Sequence, residues 1–437
     1  MKKLFALLVC VLLVFALASC GGDTCSHRDA DDNSLCDNSG FCAACDAPIG
    51  MTEGVSYDLS GDGSYAEVIG YSGNSARVII ASSYQGVPVK SIYRGAFEET
   101  SITQIIIPDS VTSIDSAAFY NCTSLTSVTI GNSVTSIGNS AFGDCTNLTS
   151  VVIPDSVTII GDYAFENCTS LTSVVIPDGV IIIGNSAFGG CTSLTSVTIP
   201  NSVESIGNGA FNNCDSFTSV TIPDSVESIG DSAFGGCTSL TSVTIGNGVE
   251  SIGDYAFYSC YRLVEVVNNS SLNITAGSSD YGYVAHYAKD VHTGEIKGVT
   301  NVDGYLFYTS SNGVHYLVGY IGNDTKLTLP DSYNGENYKI KNYAFYDFYS
   351  LTSVVIGDSV TSIGDNAFSS CNNLTSVVIG DSVAIIGSSA FRYCDGLRSI
   401  KYRGTEVQWN AISKGYRWDY GTFNTCNYTM TYNYEGE

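Results

Sequence analysis

Apolar residues fall on a fixed lattice along most of this chain. In the segment LTSVTI, Leu125, Val128 and Ile130 are apolar and small polar residues stand between them. A Gly or Pro closes the segment, as at Gly131 or Pro154. A second apolar pair, Val134 and Ile137, precedes Gly138, and an Ala-Phe pair ends the phrase. The phrase then starts again. Phe119, Phe142, Phe165, Phe188, Phe211, Phe234 and Phe257 lie 23 residues apart, and Phe345, Phe368 and Phe391 resume the step. Phe97 precedes the array one residue out of step. A period of this size predicts a solenoid, because one unit cannot bury its own apolar residues but stacked units bury them jointly. Two short extended pieces per coil predict parallel strand ladders about 4.8 Å apart, with little helix. Leu, Val, Ile and Phe columns point inward. Thr126, Ser127 and Thr129, with Thr149, Ser150 and Val152, form a small, uncharged outer face without an acid-base pair or an activated nucleophile.

The phrase C-T-S-L-T-S-V-x-I-P-D-S-V-x-x-I-G-x-x-A-F, recurring over about residues 96–265 and 340–400, resembles the BspA-like, or Treponema-type, leucine-rich repeat family of bacterial surface proteins. The resemblance implies a leucine-rich repeat solenoid, surface exposure and binding, often adhesion to host or neighbouring cells. It implies no catalytic activity.

The pattern changes at both ends and once in the middle. Residues 51–95 read as a run of strands before the first unit, and 401–437 depart from the repeat after the last; both are expected to cap the stack. Within the second, EVQWNAI predicts a short helix with Trp409 and Ile412 on one side. Repeats over 96–266 and 343–400 flank a Tyr-rich, strand-like insert at 267–342. There Asn312-Gly313 marks a hairpin turn in FYTSSNGVHYLVGY. His286, His292 and His315 also fall in the insert, with no motif to make them a metal or catalytic set.

Composition narrows the function. Of 437 residues, 14% are charged, and the formal charge is −25. That field repels phosphates and argues against nucleic-acid partners. The acids gather in columns, Asp109, Asp155, Asp178 and Asp224 in one and Glu204, Glu227 and Glu250 in another, which reads as a solubility device. The first 19 residues have a basic start and an apolar run too short to span a membrane as a mature helix, so they read as a signal peptide. Leu17-Ala18-Ser19-Cys20 resembles the bacterial lipobox and makes Cys20 the expected lipidation site, placing the chain on the cell envelope with its body in water.

Residues 20–50 then form a Cys- and Asp-rich stalk. Asp29, Asp31, Asn33 and Asp37 hold positions 1, 3, 5 and 9 of a calcium-loop pattern, although Ser34 and Gly40 replace the usual Gly and bidentate acid. Cys25, His27, Cys36, Cys42 and Cys45 offer a zinc set, and the same cysteines offer two disulfides; the three readings stand side by side. Nine further cysteines, Cys122, Cys145, Cys168, Cys191, Cys214, Cys237, Cys260, Cys371 and Cys394, keep the repeat register and read as buried free thiols packed as small hydrophobes. The identical coils leave recognition to the insert, where Tyr281, Tyr283, Tyr305, Tyr308, Tyr316 and Tyr320 are the candidate contacts. The expected partner is a protein or glycan at a host or neighbouring cell surface.

Overall fold

The computed structural model describes residues 52–421 and 428–435. It divides into two compact units, Met1–Val203 and Glu204–Glu437. Both are built from β coils, and the one α-helix among the described residues is Glu406–Ala411.

In the first unit, Arg77–Ile79, Gln104–Ile106, Ser127–Thr129, Ser150–Val152, Ser173–Val175 and Val197–Thr198 form one parallel ladder. Its register places Val151 beside Val174, and Val174 beside Val197, one period apart. The second ladder runs through Ser113–Ile114, Ser136–Ile137, Ile159–Ile160 and Ile182–Ile183. Its opening is irregular. Val55–Leu59 and Ala66–Tyr71 make an antiparallel hairpin with a bulge between Ser56 and Tyr57, and Ala66–Tyr71 then pairs in parallel with Val87–Ile92.

Leu125, Val134, Phe142 and their copies are fully buried. Phe rings stack along the column at 4.9 Å between Phe119 and Phe142 and 5.3 Å between Phe165 and Phe188. The ladder cysteines are buried and unbridged. Each thiol from Cys145 to Cys191 donates to the Phe carbonyl of the preceding coil, as Cys168 Sγ does to Phe142 O at 3.2 Å. Burial pushes the Cys191 thiol up to about 12.

The Phe wall is a third ladder, which the sequence pattern did not predict. Residues two before and two after each Phe adopt positive φ: Ala117 and Asn121, Ser140 and Asp144, Tyr163 and Asn167. The left-handed residues on either side of each Phe turn alternate amides toward the next coil, those of Ala117, Phe119 and Asn121, while Ala118 N and Tyr120 N bond back within their own coil. Phe119 N thus donates to Ala141 O, and Phe142 N to Ala164 O, at 2.8 Å. These hydrogen bonds offset a conformation that costs an L-residue about 1–2 kcal/mol.

Two polar columns also prove structural. Thr126 Oγ1 donates to Thr103 O at 3.0 Å and Thr172 Oγ1 to Thr149 O at 3.2 Å, each reaching back one coil. Asp109 Oδ1 accepts from Asn132 N at 2.7 Å, and in the second unit Asp224 Oδ1 does the same for Asn247 N. These acids, expected only to confer solubility, also cap the amides of the following coil.

The second unit holds two stacks. The first contains the parallel strands Ser219–Thr221, Ser242–Ile245, Glu265–Asn268 and Asp290–His292. The second contains Lys326–Thr328, Ser353–Ile356, Ser376–Ile379, Ser399–Tyr402 and Thr429–Thr431 on one side. Its other side starts with Thr300–Val302 and the hairpin Tyr305–Thr309 and His315–Tyr320, then continues through Tyr338–Ile340, Val360–Ile363, Ile385–Ile386 and Ser413–Lys414. The predicted helix forms at Glu406–Ala411 behind a Thr405–Gln408 capping box, with Trp409 and Ile412 buried.

The hairpin in the insert reproduces the hairpin that opens the first unit. Its bulge lies between Leu306 and Phe307, as the other lies between Ser56 and Tyr57. Phe307 stacks on Tyr333 as Tyr57 stacks on Tyr84. Tyr320 donates its hydroxyl four residues ahead to Asp324, as Tyr71 does to the Ser75 carbonyl. Residues 300–342 are therefore a second copy of the opening cap, starting a second stack.

Candidate functional site

The site is built where the two stacks of the second unit meet. At the corner after each ladder cysteine, the coils carry small polar or acidic pairs, as at Thr169-Ser170, Thr238-Ser239 and Asn372-Asn373. The coil at Cys260 carries Tyr261-Arg262 instead. Arg262 Nη2 donates to Tyr320 O of the second hairpin at 3.0 Å. In return Lys341 Nζ, from the first full coil of the second stack, donates to Tyr261 O at 2.6 Å. Each stack thus sends one cation to a backbone carbonyl of the other. Burial holds both groups below their ordinary values, Lys341 far below, with Lys289 adding to its shift.

A shell of aromatic rings surrounds these ties. Tyr261 stacks on Tyr343 at 4.9 Å and tilts against Tyr346 at 4.8 Å, and Tyr287 meets Tyr261 and Tyr343 edge-on. A cleft of about 410 Å³ opens beside them, lined by Thr238, Ser239, Tyr261, Arg262, Tyr320, Ile321, Gly322 and residues 343–348. Its size falls in the usual range for a small-ligand site.

Two buried acids also hold the hairpin. Glu265 is fully buried and accepts from His292 Nε2 at 2.9 Å and from Lys297 N and Gly298 N at 2.8 Å. Asp290 accepts from the Tyr308 hydroxyl at 2.8 Å, Ser311 N at 2.6 Å and Lys297 Nζ at 3.3 Å, and from the Ser311 hydroxyl. Burial alone would raise Asp290, but the bonds from Ser311, Tyr308 and Lys297 outweigh it and hold its carboxyl below the usual range. With every oxygen engaged, this pair pins the hairpin and the 293–299 loop rather than presenting a reactive acid.

The six candidate tyrosines divide. Tyr305, Tyr308 and Tyr320 are buried: Tyr305 and Tyr320 pack in the core of the second stack, and Tyr308 packs with Val264, Leu306 and Val318. Tyr281, Tyr283 and Tyr316 are part-exposed. Tyr283 stacks on Tyr255 at 5.6 Å, and both border a second cleft with Tyr281, Asp254 and Asp280. Lys289 places its ammonium 5.4 Å from the Tyr316 ring. Cys20, Asp29, Asp31, Asn33 and Asp37, and Cys25, His27, Cys36, Cys42 and Cys45, lie outside the described residues. Among the described residues no three His, Cys, Asp or Glu side chains are grouped to hold a metal ion, and no helix is long and apolar enough to cross a membrane.

Coil stacks with caps and inward Leu, Val and Ile columns define a leucine-rich repeat protein. The BspA type leucine rich repeat region matches residues 90–214, 158–281 and 321–416, well over half the chain, so the chain belongs to that family. Among solved structures it is similar to a leucine rich cell surface protein of Faecalibacterium prausnitzii, with 27% identity over 84% of this chain and 98% of that one and a TM-score of 0.39. A Treponema pallidum leucine rich repeat protein is 30% identical over 49% of this chain and 90% of its own, with a TM-score of 0.38. A Bacteroides ovatus leucine-rich repeat protein is 24% identical over 87% and 99%, with a TM-score of 0.34. No curated protein matches this sequence.

Proposed function

We infer that the chain is a non-catalytic bacterial surface protein, held on the cell envelope by a lipid on Cys20. Its body captures a protein or glycan on a host or neighbouring cell. The supporting observation is the break in the second unit. Coil columns repeat one side chain at each step, so a partner on them slides by one coil at little cost, whereas unlike side chains at the break fix a single register. Tyr281, Tyr283 and Tyr316 are the part-exposed members of the candidate set and supply the aromatic contacts.

The test compares the soluble chain from residue 51 with a variant carrying Ser at Tyr281, Tyr283 and Tyr316, on immobilised extracellular-matrix glycoproteins and cell-surface glycans. Weaker capture by the folded variant supports the reading. Equal capture moves the contact to the coil faces. Cys20→Ala should leave the chain unprocessed or released from membranes. Calcium and zinc titrations of a 25–45 peptide, oxidised and then reduced, separate the three readings of the stalk.

A further inference from the structure

The cleft between the two stacks holds a cation, Arg262, that is in no ion pair among the described residues. Its one hydrogen bond among them goes to the Tyr320 carbonyl. The guanidinium is packed against the hairpin. A Cβ on Gly319 would lie 3.1 Å from Arg262 Nε, whereas the equivalent Gly70 of the first cap has open space. A guanidinium held in this way has donors to spare for a planar anion.

The other walls narrow the ligand. The part-exposed rings of Tyr261, Tyr343, Tyr346 and Phe348 provide flat apolar surface, and Thr238, Ser239 and the tyrosine hydroxyls provide hydrogen-bonding groups around it. Asp347 is the acid in the lining. A wholly apolar ligand would leave Arg262 unpaired. A polyanion would face Asp347 and a chain carrying −25. The remaining match is a ring with one apolar face, several hydroxyls and a single carboxylate.

We propose that the cleft formed by Tyr261, Arg262, Tyr343 and Tyr346 binds an acidic sugar residue, a pyranose bearing one carboxylate. The carboxylate lies on Arg262, the apolar ring face on the tyrosines, and the hydroxyls against Thr238, Ser239 and Asp347. The proposal rests on the surface-binding reading above and gives it a ligand class and a site. The sequence signal is local: the corner after Cys260 carries Tyr-Arg where the other ladder cysteines are followed by small polar or acidic pairs.

The test titrates the full chain with methyl glycosides of N-acetylneuraminic acid, glucuronic acid and glucose. One or both acidic sugars should bind at least tenfold more tightly than the glucoside, with affinity falling as salt rises. Which one binds separates a sialic from a uronic source. Arg262→Gln, shown to be folded by a cooperative thermal transition, should weaken the acidic sugar at least tenfold and leave the glucoside within about threefold. Asp347→Asn should raise the ratio of acidic-sugar to glucoside affinity several-fold, a readout that survives if the Arg262 variant misfolds. Equal binding of acidic and neutral sugars, no binding of any, or unchanged binding by Arg262→Gln or Asp347→Asn overturns the proposal. If cell-surface capture persists in Arg262→Gln at full strength, the cleft fails while the surface-binding reading stands.

Discussion

The two hairpin caps have the same internal register but different outer faces. In the first, Ser56, Asp58 and Ile69 face outward, and Ile69 is 44% exposed. Their counterparts in the second are Leu306, Tyr308 and Val318, which are 7%, 1% and 0% exposed. The inward faces match, because Tyr57 and Phe307 both pair across the bulge and stack on a tyrosine. A cap that starts a stack needs one apolar face. A cap that restarts a stack beside an earlier one needs two, and the second face packs on Val264 and reaches Asp290. Joining two stacks in this way makes a junction with side chains that no coil repeats, and the cleft beside Arg262 is part of it.

The largest test of this comparison is truncation of one outer face. Tyr308→Ala should cost about 3–5 kcal/mol in urea unfolding, because a buried aromatic and a hydrogen bond to Asp290 both go. Asp58→Ala at the matching site should stay within about 0.5 kcal/mol. Equal losses would mean the two outer faces are not differently covered.

Glu265→Ala should cost about 3 kcal/mol, since His292 and the amides of Lys297 and Gly298 lose their acceptor. Limited proteolysis should then cut within 293–299 while the first cap stays intact. Cleavage in both places would show that the damage is not confined to the junction.

Val318→Ala should cost about 2 kcal/mol and Ile69→Ala under about 0.5 kcal/mol, although the second removes more carbon. The order of those two values is the check.

The smallest effect is in acid. Asp290 titrates below its ordinary value in the folded chain, so its stabilising contribution is full above about pH 4 and lost as pH falls through the lowered value. The second unit should lose stability in that window, and Asp290→Asn should remove that part of the pH dependence. An unchanged acid profile would mean that Asp290 does not hold the hairpin as an anion.

Most of the coil was readable in the chain, for a physical reason. Each coil packs on near copies of itself, so the environment of Val151 or Phe165 is set by residues one period away and the text states it directly. The terminal helix was also legible, because Thr405, Gln408, Trp409 and Ile412 act within two turns. The alternation YLFYT and HYLVGY shows two apolar faces, but alternation does not say what covers each. That depended on Arg262 reaching Tyr320 and Lys341 reaching Tyr261, contacts that bridge 58 and 80 residues. Tertiary structure alone therefore decided that Tyr305, Tyr308 and Tyr320 turn inward while Tyr281, Tyr283 and Tyr316 keep exposed surface. It also decided the left-handed residues flanking each Phe. Gly, Asn and Asp adopt that conformation readily, but Ala117, Ser140 and Tyr163 do not, and only a neighbouring coil with carbonyls in range makes it the stable choice.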